Sequence, residues 1–298
     1  MGLLFAAYLR ESGREVALLD YRRERADSLN RSGIFISGVR GERQVKVPVH
    51  LPQERLQPPD LVMVWVKSYR TKEALEMFRS TLGPATLVFT AQNGLGNVEA
   101  ISSVAFPENV LAGTTTMGAN IIGPGRVHHA AEGETLIGEP AGGITERVER
   151  ICRVLTEASL PARPVEDIRR AIWEKLVVNA AINPLTALLR VRNGELLRRP
   201  AALRLMAGMV REVVEVARGQ GVELDEVSCF ERVQRVAQAT SANRSSMLQD
   251  VEAGRRTEID AINGLVASCG KAPLNQTVAE LIRAITEPGT LDMEREKS

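Results

Sequence analysis

The chain has 298 residues, 44% hydrophobic and 25% charged, with a formal net charge of +1 at neutral pH. This is the profile of a water-soluble chain long enough for one large or two ordinary domains, and the near-neutral balance favours neither nucleic acid nor a membrane as a bulk partner. Cys152, Cys229 and Cys269 stand far apart without a Cys-x-x-Cys pair, so zinc and a disulfide framework have no support and a reducing cytoplasm is the natural compartment.

In chain order, Met1–Leu9 reads as the opening turns of a helix. It is not a secretory leader, because a basic start is missing and Arg10-Glu11 stands where small residues should mark cleavage. Glu15–Asp20 is a short apolar strand ending on an acid, and Arg23–Arg31 follows as a helix. Leu61–Val66 and Thr86–Thr90 are buried-strand runs with a helix over about Tyr69–Ser80 between them. This alternation is that of βαβ units and a mostly parallel sheet. Between Val110 and Gly138 the runs shorten and are broken by Gly123-Pro124-Gly125 and Gly133, which predicts antiparallel edge strands. His128 and His129 lie on one of these; neighbours on a strand face opposite ways, so they are not expected to share a metal. A helix near Ile144–Ala158 and a strand near Pro161–Val165 close this half.

From Glu166 the strand signals vanish. Helices are expected over Ala201–Gln220, Asp225–Thr240, Glu258–Cys269 and Thr277–Thr286, with Asn183-Pro184 as an N-cap and first-turn proline. The expected organisation is an α/β domain over residues 1–164 and an all-helical domain over 165–298, ending in a loose polar tail after Glu287. No run approaches the ~20 apolar residues of a membrane span.

The first turns carry a further signal. In a dinucleotide-binding fold the last glycine of G-x-G-x-x-G opens a helix, and a ribose-reading acid lies about 20 residues on. Gly2 and Asp20 fit that pair. The reading is a Rossmann-like domain, N-terminally truncated and lacking its first strand and glycine-rich turn, with the start codon placed too late. An acid such as Asp20 suits a free ribose hydroxyl, whereas Arg22 and Arg23 suit a ribose phosphate, and both readings stand.

The most informative row lies between Ile172 and Pro184. Lys175, Asn179 and Asn183 recur every four residues on a helix whose other positions are mostly Ile, Leu, Val and Ala. A helix apolar nearly all round is buried, and burying an ammonium is costly unless it has a use. Partial burial would bring a lysine toward neutrality, where it can donate a proton to an oxyanion. The carboxamides can hold hydroxyl and carbonyl oxygens without adding charge. Plainer readings stay open: Asn183 and Ser246 as helix caps, and Asn193-Gly194 as a turn.

With Val66-Lys67-Ser68, Asn93-Gly94-Leu95-Gly96, Gly113–Thr116, Trp173–Leu176, Asn183–Ala187, Asn193-Gly194, Asn243–Asp250 and Ile259–Gly264, the chain resembles the 2-dehydropantoate 2-reductase (ketopantoate reductase) family from Gly2 to about Leu281. The resemblance implies NADPH-dependent reduction of 2-dehydropantoate to pantoate, a step toward pantothenate and coenzyme A. It implies Lys175 as proton donor and substrate ligand, with Asn93, Asn179, Asn183, Asn193 and Ser246 holding the substrate. Gly2, Lys67, Asn93, Ala119 and Glu258 would meet the cofactor, and Glu258 could serve Lys175 or a ribose hydroxyl. The site would lie in a cleft between the two domains. Rival readings are a related reductase of another 2-keto acid and a truncated, catalytically silent family member. The apolar helices of the second half suit a core or a homodimer partner equally.

Overall fold

The structure is a computed structural model that describes residues 1–287, so the tail after Glu287, expected to be loose, lies outside the described residues. The chain divides into two compact units: Met1–Gln92 with Asn97–Ala171, and Asn93–Gly96 with the chain from Ile172 onward.

The first unit opens with α1 (Gly2–Glu11), whose Leu4, Phe5, Ala6, Ala7, Tyr8 and Leu9 are all buried, as expected of a helix apolar on nearly every side. After β1 (Leu18–Leu19) and α2 (Arg23–Ser32) come three short strands, β2 (Ile34–Gly38), β3 (Arg43–Val45) and β4 (Val49–His50). Local pattern does not announce these three. Two of them find partners far away or across a polar loop: β2 pairs with β9 (Arg126–Ala131), and β4 with β1. One side of the larger sheet is built from β5 (Leu61–Val64), β6 (Leu87–Thr90) and β7 (Val110–Thr115), parallel to one another, with α3 (Thr71–Met77) and α4 (Asn97–Ser102) as crossovers. All four residues of β6 and all six of β7 are buried, the mark of strands covered on both faces. A hairpin of β8 (Gly118–Gly123) and β9 follows, then β10 (Thr135–Gly138), α5 (Glu146–Glu157) and β11 (Ala162–Pro164). The sheets run β1-β4, β11-β10-β7-β6-β5 and β3-β2-β9-β8. The β10 strand returns antiparallel to β7, which bears out the expected change of pattern after Val110.

The second unit is helical: α6 (Ile168–Leu189), counted here from Ile172, then α7 (Pro200–Gly219), α8 (Glu226–Ala239), α9 (Ser246–Glu252), α10 (Asn263–Cys269) and α11 (Pro273–Thr286). Two expectations are corrected. Asn183-Pro184 does not start a helix, because α6 runs through Pro184 without a break. An interior proline costs about 3 kcal/mol. Leu176, Val177, Ile182 and Leu185 on the same helix are each at least 97% buried, and each is worth about 1.5–3 kcal/mol of burial, so packing wins. The helix expected over Glu258–Cys269 is instead a short 3-10 turn, Ile259–Ala261, and α10, separated by a sharp bend at Ile262. Among the described residues no helix is long and apolar enough to cross a membrane.

Candidate active site

Because α6 is continuous, Lys175, Asn179 and Asn183 do share a face. Asn183 is buried, and Lys175 and Asn179 keep some accessible surface. Burial lowers the Lys175 ammonium from 10.5 to about 8, against the opposing pull of the Glu258 carboxylate. Glu258 is itself buried, just before the Ile259–Ala261 turn.

Asn93 reaches the same place on the short segment Asn93–Gly96. Its Nδ2 lies 3.5 Å from Glu258 Oε2, and Leu95 N–H donates to the Ala261 carbonyl at 2.9 Å. Gly94 between them has φ +83°, and a Cβ there would fall 2.3 Å from the Ala261 oxygen, so only glycine lets the two backbones meet. Lys175, Glu258 and Asn93 therefore form one electrostatic group.

The far end of the row is held by hydroxyls. Thr186 Oγ1 donates to Ser245 Oγ at 2.7 Å, and Ser245 Oγ accepts from Leu248 N–H at 3.1 Å, capping α9. The cap is thus Ser245, and the capping reading of Ser246 is corrected: Ser246 is the exposed first residue of α9. Both serines are capable of capping; Thr186, distant in sequence, selects the first. Asn193 is buried, with Nδ2 donating to Thr240 Oγ1 at 2.8 Å and Oδ1 lacking a partner. Gly194 N–H bonds to Ser241 O at 3.2 Å, and a Cβ at Gly194 would meet Ser241 Cβ at 2.5 Å. Asn193-Gly194 is therefore more than a turn: it opens a 3-10 segment docked against the loop after α8.

In the first unit the candidates are spread out. Gly2 opens α1, and a Cβ there would sit 3.3 Å from Trp65 Cβ, two residues before Lys67. Lys67 is half-buried in the loop after β5, where its carbonyl accepts from Arg70 N–H at 2.8 Å. Ala119 lies on β8, opposite His129 in the four-stranded sheet. Asp20 is buried and already engaged: it accepts from Arg22 N–H at 2.9 Å and from Arg25 Nη2 at 2.8 Å. The guanidiniums of Arg22, Arg25 and Arg70 stand 5.5, 5.9 and 5.3 Å from the Tyr21 ring centroid. Of this basic cluster only Arg22 was a candidate from the sequence; Arg25 points back from the first turn of α2, and Arg70 arrives from the turn after β5. His128 and His129 do face different partners, Ser37 Oγ at 3.2 Å and Tyr8 OH at 3.0 Å.

Sequence reasoning also missed Glu212, Asn263 and Asn275, polar side chains buried in the helical unit. The available signal was polar residues at otherwise apolar helical positions.

Two family descriptions match the chain: "Ketopantoate reductase PanE/ApbA" over residues 1–142 and "Ketopantoate reductase PanE/ApbA C terminal" over residues 167–286. A 2-dehydropantoate 2-reductase of Archaeoglobus fulgidus is 35% identical over 290 residues, 96% of this chain and 94% of that protein. One from Halobacterium salinarum is also 35% identical, over 97% of each chain. Among solved structures, D-mandelate dehydrogenase with NADH and anilino(oxo)acetate superposes with a TM-score of 0.92 at 27% identity, covering 96% of this chain and 95% of that one. The 2-dehydropantoate 2-reductase of Geobacter metallireducens gives 0.88 at 29% identity, covering 95% and 96%.

Proposed function

The chain belongs to the ketopantoate reductase family, and from that premise we propose that it reduces 2-dehydropantoate to (R)-pantoate with NADPH. When bound, the nicotinamide would supply hydride to the C2 carbonyl carbon. The carbonyl oxygen then carries the negative charge and takes a proton from Lys175 Nζ, leaving a neutral amine that solvent reprotonates. The observation that carries this reading is the continuous α6 face on which a half-buried Lys175 stands in line with two carboxamides; burial there lowers its ammonium to about 8. An amine near that value is protonated at working pH yet releases its proton readily.

Asn179, Asn183, Asn193 and Ser246 are the proposed substrate ligands. The unpartnered Oδ1 of Asn193 suits a hydroxyl donor. Glu258 holds Lys175 and Asn93 in register, and Lys67, Gly2 and Ala119 are the proposed cofactor contacts. Preference for NADPH is supported by Asp20, whose carboxylate is taken up by Arg25 and the Arg22 N–H, and by the guanidiniums gathered at Tyr21. Cationic forks suit a ribose phosphate better than a bare hydroxyl.

A second reading, favoured by the 0.92 superposition on an NADH-bound D-mandelate dehydrogenase, is an NADH-linked reductase of another 2-keto acid. Steady-state rates with 2-dehydropantoate and with benzoylformate, each with NADPH and NADH, separate the two. Highest kcat/KM for 2-dehydropantoate with NADPH is expected; a higher value for the aryl keto acid overturns the proposal.

A further inference from the structure

Pro184 has no N–H, so the helix hydrogen bond that residue 184 would give to the Ala180 carbonyl cannot form. That carbonyl is buried and has another donor: Asn263 Nδ2, at 3.1 Å. The second proton of the same amide goes to Asn275 Oδ1 at 2.9 Å. Asn275 Nδ2 donates onward to Glu212 Oε2 at 2.8 Å and to the Met209 carbonyl at 3.2 Å. The Glu212 carboxylate also accepts the N–H groups of Leu274 and Asn275, at 2.8 and 2.9 Å, fixing it to the first turn of α11. Asn263 and Asn275 have no accessible surface, and each link leaves only one orientation for its amide.

The relay ends on the turn that matters. Ala180 follows Asn179 and lies between Lys175 and Asn183. Proline pushes the carbonyl four residues back out of line, so helix pitch at this turn is set by whatever receives that carbonyl. An ordinary residue at position 184 would have satisfied it within the helix. We propose that Asn263, held by Asn275 and Glu212, is a positioning residue that replaces the missing bond of α6 and fixes Asn179 and Asn183 relative to Lys175. The inference rests on the reading of that helix face as the proton-donating and substrate-holding site.

The test uses the full chain carrying Asn263→Ala, Pro184→Ala, or both. Each variant is followed by kcat, KM, NADPH dissociation constant, thermal midpoint and the titration of Lys175 Nζ by NMR. Asn263→Ala is expected to lower kcat roughly 10–100-fold, since small misplacements of reacting groups cost this much, with NADPH binding within about twofold of the parent. Loosening the turn admits water, so the Lys175 midpoint should move from about 8 toward 10.5. In the double variant position 184 regains its N–H, and most of the lost turnover and the original midpoint should return. Unchanged kcat in folded Asn263→Ala overturns the proposal, as does a loss that Pro184→Ala does not restore. If Asn263→Ala alone does not fold, the double variant decides: folding with most of the parent turnover supports the relay, and failure to fold overturns it. Should the parent chain reduce no keto acid, the proposed function fails, while the Lys175 titration and its reversal in the double variant still test the relay.

Discussion

The two units place their candidate residues in different ways. In the second, one continuous helix carries Lys175, Asn179 and Asn183 at fixed spacing, and Asn263 of α10, itself bonded to Asn275 of α11 and through it to Glu212 of α7, donates to that helix at Ala180. In the first, Gly2, Lys67 and Ala119 come from a helix start, a post-strand loop and a hairpin strand. A site on one rigid element is suited to chemistry, where sub-ångström placement counts; a site spread over loops and strand ends is suited to gripping a long ligand at several points.

Substitutions sharpen or break this contrast. The largest effect is expected from Lys175→Ala, which should reduce kcat about 10²–10⁴-fold while leaving the NADPH dissociation constant unchanged in a fluorescence titration. A loss below tenfold would remove the proton-donor role and with it the chemical half of the comparison. In the first unit, combined Arg22→Ala and Arg70→Ala should raise KM for NADPH roughly tenfold or more through lost charge-assisted contacts, with kcat and KM for NADH little altered. Equal weakening of both nucleotides would mean that the cluster reads no ribose phosphate.

Gly94→Ala tests the segment that joins Asn93 to the helical unit. With φ +83° and the Ala261 oxygen 2.3 Å from the new Cβ, the change should cost about 1–3 kcal/mol in a denaturant melt and raise KM for the keto acid. A neutral melt would show that this close approach is not required. The mildest effect concerns pH. Lys175 must be protonated to donate, and its value is lowered to about 8. The reduction rate should therefore hold below that pH and fall above it, by about tenfold per unit once the amine is mostly neutral. Glu258 raises the Lys175 value, so Glu258→Gln should move the alkaline limb to lower pH. A limb that stays put or moves higher breaks the electrostatic pairing.

Much of this was legible from local pattern. The βαβ rhythm of the first half, the change after Val110 and the four-residue row on α6 each follow from spacing, which the backbone converts directly into faces. The short strands β2 and β3 were not legible, because β2 is completed by a pairing with β9 about ninety residues away. Ser245 and Ser246 compete for one cap, and only contact with Thr186 chooses between them. Asn183-Pro184 reads locally as a helix start. That reading failed because the burial of Leu176, Val177, Ile182 and Leu185 outweighs the cost of an interior proline, while a carboxamide 83 positions beyond Ala180 receives the carbonyl the proline abandons.

The sequence by itself determined which residue types recur on which face, and hence that a lysine and two carboxamides would point the same way. Their family also follows from order and spacing along the chain. Only the tertiary structure decided that the row would be buried deeply enough to bring Lys175 to about 8, that Glu258 and Asn93 would stand beside it, and that α6 would continue through a proline. Local propensity acts over a few residues, whereas desolvation and the pairing of a stranded carbonyl depend on what the rest of the chain brings to that point.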